Sequence, residues 1–171
     1  HDPKNLNGKG NFLSRLIFDE ILSNFLISSN IRRKIKKVKK IKKSFNQQPI
    51  KSIVKKINFN LTNDQLKAVD EINKDLKSDR KMFRLLQGDV GSGKTIVALI
   101  SCLNVIQSGF QVAIMAPTEI LAKQHYNLAV KLFSKKININ LLTGKTEYKE
   151  RKIILNNLST GKINLLLGTH S

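Results

Sequence analysis

A single cysteine, Cys102, is the only thiol in the chain, so a disulfide framework is excluded and a reducing cytoplasm fits. It stands in an apolar stretch and is expected to be a buried structural thiol. Long hydrophobic runs are missing as well. No stretch approaches the roughly 18 apolar residues that a membrane-crossing helix requires. The start, His1-Asp2-Pro3-Lys4, is polar and lacks the apolar segment of a signal peptide. Of the three histidines, His1, His125 and His170, none has metal-ligand spacing with Cys102, so no zinc site is expected. His125 reads as a structural residue on a helix. Acidic residues are few: 12 against 31 basic ones, for a net charge of +19. Such a charge suits a polyanionic partner, because Lys and Arg neutralise phosphates and release counterions. Arginine is scarce too, however, with only Arg15, Arg32, Arg33, Arg80, Arg84 and Arg151. Bidentate phosphate contacts favour arginine over lysine, and a chain crowded with Lys, Asn and Ile is also what A- and T-rich coding drift produces.

What the chain does hold is the octapeptide Gly88-Asp89-Val90-Gly91-Ser92-Gly93-Lys94-Thr95. Gly88, Gly91 and Gly93 let the backbone enter conformations that a side chain would oppose. Successive N–H groups can then converge on phosphate oxygens as an anion-binding nest. Lys94 is placed to reach the β- and γ-phosphates, and the Thr95 hydroxyl to hold Mg²⁺. A helix beginning here adds the positive end of its dipole. Asp89 is an odd residue beside phosphates; its backbone is expected to matter, with the side chain turned outward. The flanks agree with a nucleotide site. Residues 82–87 are short and mainly apolar, as a buried parallel strand is. Residues 95–106 carry Ile96, Val97, Leu99, Ile100, Leu103 and Ile106, a helix buried on most of its surface.

A length of 171 residues, 40% of them hydrophobic, is enough for one core with an added arm. The arm is basic. Residues 1–60 hold 15 basic and 3 acidic side chains (net +12), and residues 61–171 hold 16 and 9 (net +7). Residues 1–11 read as loop. Leu13, Leu16, Ile17, Ile21 and Phe25 then follow helical spacing. Residues 31–43 contain nine Lys or Arg, and Ile31, Ile35, Val38 and Ile41 allow them to extend the same helix as one apolar stripe. Such a helix suits nucleic acid or packing on its own protein; without aromatics, a membrane surface suits it least. Residues 44–60, with Pro49, read as linker. The domain expectation is therefore a helical basic connector over 1–58 and an ATP-binding domain over 59–171. A new helix starts at Thr62, where Gln65 three residues on completes a capping box, and Leu66, Val69, Ile72 and Leu76 form its stripe. Beyond the loop, strands at 111–116, 137–142 and 163–167 alternate with helices at 118–133 and 146–158. This α/β alternation predicts a parallel sheet with helices on both faces and the ligand at the carboxyl ends of the strands.

Several segments together resemble the RecG family of superfamily two DNA helicases. Residues 82–95 resemble its motif I, and Ala116-Pro117-Thr118-Glu119-Ile120-Leu121-Ala122 with Gln124-His125 resembles its motif Ia. Leu141-Leu142-Thr143-Gly144 and Gly168-Thr169-His170 resemble the next two blocks. Phe59, Leu61-Thr62 and Gln65 look like the adenine-recognising Q motif, and residues 15–22 look like the helix joining the family's wedge domain to its motor. The likeness covers nearly the whole chain and is weakest over the basic run. The transcription-repair coupling factor shares the loop and the Gly-Thr-His end, but its motif Ia is worded differently.

The resemblance implies a RecA-like lobe of a helicase that uses ATP and Mg²⁺ on branched double-stranded DNA (forks and Holliday junctions), working in recombination and repair as a cytoplasmic monomer. Gln65 would present its amide to the adenine edge; on spacing alone it closes the capping box. Pro117, Thr118 and Glu119, at a strand's end, would receive a DNA phosphate at a helix N-terminus, where plain capping is the simpler reading. Gly144, Thr169 and His170 would join them. No strand ends in the Asp-Glu pair that orients Mg²⁺ and the attacking water, and Asp70-Glu71 lies in a helix. Without that pair or a second lobe, and with no initial Met, the chain reads as an internal piece expected to bind ATP weakly and hydrolyse it poorly or not at all. A non-helicase P-loop NTPase and a nucleic-acid-binding module with a vestigial loop remain as rivals.

Overall fold

The computed structural model describes residues 11–45, 60–133 and 135–170, with the side chains of Asn11 and Lys36 excepted. Of the loop expected over 1–11 all but Asn11, which opens a helix, lies outside these residues, as do Phe59, residues 46–59 of the linker expected over 44–60, and the expected boundary at 58/59. Two compact units divide the rest, one from 11–40 with 79–83 and the other from 41–78 with 84–170.

In the first unit, helix α1 (Asn11–Lys37) realises the helical spacing seen in the sequence. It stops short of Lys43. Val38 N–H turns back to Ile35 O at 3.1 Å, and Lys39 forms an antiparallel bridge with Arg80. Continuing the helix would stack Lys39, Lys40 and Lys43 on the lysines a turn earlier, a repulsion that opposes helix. The bridge satisfies the same backbone groups without that stacking.

The second unit is α/β. Helix α2 (Asn63–Lys77) begins at Thr62 with both halves of the capping box made. Helix α3 (Lys94–Gln107) follows the glycine loop, then β1 (Val112–Met115), α4 (Glu119–Leu132), β2 (Ile139–Leu142), α5 (Tyr148–Ser159) and β3 (Leu165–Gly168). The three strands form one parallel sheet in the order β1-β3-β2. Going from β1 to β2 the chain steps over β3; going from β2 to β3 it steps back. Right-handed crossovers in opposite directions put α4 and α5 on opposite faces.

Register explains the core. Val112, Leu165 and Ile139 are lateral partners, as are Ile114, Leu167 and Leu141, so these six share one face. Against that face pack Val97, Leu99, Ile100 and Leu103 of α3 with Ala129 and Leu132 of α4. Val69, Ile72 and Leu76 of α2 join the same cluster; Leu66, expected in that stripe, stays 47% exposed in the first turn.

One predicted strand does not form. Residues 82–87 pair with no strand among the described residues, and Phe83 and Leu85 are exposed. A strand exists only as one side of a hydrogen-bonded ladder, and β1, at the sheet's edge, bonds to β3 alone. Leu86 packs against the core, and Arg84 adds a polar anchor. Its guanidinium meets Glu71 Oε2 at 2.7 Å and Asp75 Oδ2 at 2.8 Å, two carboxylates one turn apart on α2. The Asp75 hydrogen bond raises the Arg84 pKa further.

Candidate functional site

The loop at 88–95 takes its shape from two glycines. Gly91 and Gly93 lie at φ 83° and 80°, in the left-handed region. Gly93 is the N-cap of α3 and supplies no side chain there. The N–H groups of Gly91, Gly93, Lys94 and Thr95 have no acceptor among the described residues. Unbonded amides over the first turn of a helix make an anion-binding end. A Cβ at Gly88 would come within 2.8 Å of Ser92 Oγ, a hydroxyl that would have to turn away.

Lys94 folds over this cradle. Its Nζ donates to Gly88 O at 2.7 Å and to Asp89 O at 2.6 Å, with Ser92 Oγ at 3.5 Å. Asp89 takes part through its backbone, because its carbonyl also accepts from Ser92 N–H at 3.2 Å. Val90 projects into solvent and Thr95 is half-buried in the first turn. Gln65 arrives from α2: its Nε2 donates to Ser92 O at 2.9 Å while Oε1 accepts from Thr62 N–H at 3.0 Å. Sequence reading left open whether Gln65 caps or reaches the nucleotide site; in the structure the capping side chain also touches the loop.

Asp70 and Glu71 are engaged elsewhere, Asp70 with Lys74 at 2.8 Å and Glu71 with Arg84. The Asp70 hydrogen bond raises the Lys74 pKa. The sequence pattern places Arg84 only within an apolar strand. The carboxylates of Glu71 and Asp75, spaced i, i+4, were the available signal for its role.

The parallel sheet gathers the remaining candidates on one rim. Met115, Gly168 and Leu142 are lateral partners at the carboxyl ends of the strands. Pro117, Thr118 and Glu119 follow the first, Thr169 and His170 the second, Gly144 the third. Thr118 caps α4 by accepting from Leu121 N–H at 3.3 Å, and Glu119 pairs with Lys145 at 3.1 Å. Gly144 sits in a turn closed by Thr146 N–H to Thr143 O at 3.1 Å. Gly168 must lack a Cβ, which would collide with the Leu142 carbonyl oxygen. Because α3 enters β1 through a short turn, it runs back along the sheet and brings the glycine loop to this same end.

A glycine cradle opening a helix on a parallel α/β sheet defines a RecA-like P-loop fold. The DEAD/DEAH box helicase family matches residues 62–171, and the chain belongs to that family. Over its full length it is 40% identical to the ATP-dependent DNA helicase RecG of Aquifex aeolicus and 42% identical to that of Borreliella burgdorferi. It spans only 22% and 25% of those proteins. A solved structure of RecG bound to a three-way DNA junction superposes with a TM-score of 0.81 at 42% identity, covering 92% of this chain and 22% of that one.

Proposed function

We propose that this chain forms the nucleotide-binding part of the first motor lobe of an ATP-dependent helicase acting on branched DNA. The observation that carries the reading is the cradle itself, with four N–H groups lacking acceptors among the described residues, beside the Lys94 ammonium. These residues fit a nucleoside triphosphate. The amides of Gly91, Gly93, Lys94 and Thr95 bind terminal phosphate oxygens, and Lys94 exchanges its two loop carbonyls for them. The Thr95 hydroxyl would hold Mg²⁺, and Gln65 would read the adenine edge. When bound, Mg·ATP supplies the phosphoryl group whose transfer to water drives motion.

The rim is the DNA-facing edge. Thr118, at the N-terminus of α4, offers its hydroxyl and neighbouring amides to a backbone phosphate. Lys145 beside Glu119 offsets a carboxylate that would otherwise repel the strand. Gly144, Thr169 and His170 complete the edge. Identity of 40–48% to proteins named ATP-dependent DNA helicase RecG, and likeness to a RecG solved on a three-way DNA junction, support work on branched DNA. The reading extends to forks and Holliday junctions in recombination and repair, by a cytoplasmic monomer. It disfavours a transcription-repair coupling role. Among the described residues no helix is long and apolar enough to cross a membrane.

The test is binding of a fluorescent ATP analogue with and without forked DNA, on the chain and on Lys94→Ala. The expected result is nucleotide binding that responds to DNA and disappears in the variant, with DNA affinity retained. Nucleotide affinity indifferent to DNA would favour a metabolic P-loop NTPase. Salt-sensitive DNA binding with no nucleotide binding in either protein would favour a simple nucleic-acid module.

A further inference from the structure

Within the first unit, Arg33, Lys37, Lys39, Asp79 and Arg80 line a cleft of about 780 Å³. We propose that this cleft is an additional nucleic-acid contact, made of residues distinct from the rim, that grips the phosphodiester backbone without reading sequence. The inference rests on the DNA-binding reading above.

Two like-charge juxtapositions built into the fold converge here. Arg33 and Lys37 are one turn apart on α1, where like charges repel. Lys39 and Arg80 are opposite one another in an antiparallel bridge, where like charges also repel. The bridge is held by the backbone, through Lys40 N–H to Asp79 O at 2.8 Å and Lys81 N–H to Val38 O at 3.3 Å. Among the described residues that line the cleft there are four cations and one carboxylate, and Arg33, Lys37 and Lys39 form no ion pair with any described residue. A polyanion in the cleft relieves both repulsions.

The chemistry of the lining narrows the class. Two of the chain's six arginines are here, and the planar guanidinium fork suits phosphate oxygens better than lysine does. Among the described residues no aromatic or large apolar side chain lines the cleft, so they provide neither a stacking platform for bases nor a wedge for lipid. The volume exceeds what one phosphate fills and suits a run of backbone. Arg33 and Lys37 also lie in the last turns of α1, where cations favour the helix dipole. That local role predicts lower helix stability in variants and no effect on a salt slope.

The experiment measures forked-DNA binding by fluorescence anisotropy across a KCl series for the chain and for the triple variant Arg33→Ala, Lys37→Ala, Arg80→Ala. The expected result is at least tenfold weaker binding, with the log–log salt slope reduced by about 2 to 3, near 0.9 per lost phosphate contact. ATP-analogue affinity without DNA stays unchanged. An unchanged slope with native circular dichroism overturns the proposal while leaving the rim reading intact. A parent chain that binds no DNA at low salt overturns both. Should the triple variant lose its fold, lysine acetylation of the parent chain decides. DNA should protect Lys37 and Lys39 more than Lys67 and Lys149, and equal reactivity with and without DNA overturns the cleft. Protection by anionic phosphatidylserine vesicles with none by DNA overturns it in favour of a membrane surface.

Discussion

Gln65 joins two structures with one amide: its Oε1 accepts from Thr62 N–H at 3.0 Å and its Nε2 donates to the Ser92 carbonyl at 2.9 Å. The helix start and the phosphate loop are thereby mechanically linked. Gln65→Glu separates the two roles, because a carboxylate still accepts from Thr62 but no longer donates to Ser92. The melting temperature should stay within a few degrees while ATP-analogue affinity falls about tenfold, roughly 1.4 kcal/mol. Gln65→Ala should lose both, with about 1 kcal/mol of stability going with the cap. Paired thermal melts and binding titrations check this.

Gly91 and Gly93 share a left-handed backbone but not a neighbourhood. A Cβ at Gly91 meets nothing within 4 Å, whereas one at Gly93 runs into the Gln65 amide. Gly91→Ala should cost about 1 kcal/mol, the strain of a non-glycine residue in that region. Gly93→Ala should cost more and should also reproduce the binding loss of Gln65→Glu. Equal effects of the two substitutions on nucleotide affinity would contradict this.

Deeper between the helices, Asn104 Nδ2 of α3 donates to Asn73 Oδ1 of α2 at 2.8 Å, and Asn104 Oδ1 is buried without a partner among the described residues. Removing one partner strands the other. Asn73→Leu should destabilise by about 2 kcal/mol, and the double variant Asn73→Leu, Asn104→Leu should recover much of that, since two apolar groups leave nothing unsatisfied. Urea unfolding of the four proteins of a double-mutant cycle gives the coupling.

Cys102 lies 8% exposed on α3, and burial pushes its thiol up to about 12. In the folded chain it should react with a disulfide reagent at pH 8 only as fast as the chain opens, and rapidly once unfolded. Its linkage to stability follows from the direction of the shift. The unfolded thiol loses its proton first, from about pH 9, so this contribution is complete below that pH and is lost as pH rises towards about 12. A urea series from pH 8 to 11 should give falling stability, and Cys102→Ala should flatten that trend.

How much of the chain could be read in one dimension depended on range. Thr62 and Gln65 stand three apart, so the capping box and the start of α2 were legible from adjacent residues. The glycine loop was legible for the same reason, because positive φ and helix-end amides are local properties of Gly91, Gly93 and the turn they begin. The order of strands and helices followed from periodicity, and with it the rim, since parallel strands deliver Thr118, Gly144 and Thr169 to one end.

Local pattern failed wherever a distant partner decided the outcome. Residues 82–87 have the composition of a buried strand, yet they find no ladder among the described residues, and Arg84 secures them to Glu71 and Asp75 instead. The stripe through Val38 and Ile41 fits a longer helix, but the bridge to Arg80 ends it at Lys37.

By itself, then, the order of amino acids determined most of the elements and the glycine loop at a helix start, because each depends on contacts within a few residues. Only the tertiary structure decided that Gln65 touches the loop, that Asn73 meets Asn104, and that Arg33, Lys37, Lys39 and Arg80 share a cleft. Those pairings depend on how chain segments meet across tens of residues, and hydropathy and spacing carry no record of such distances.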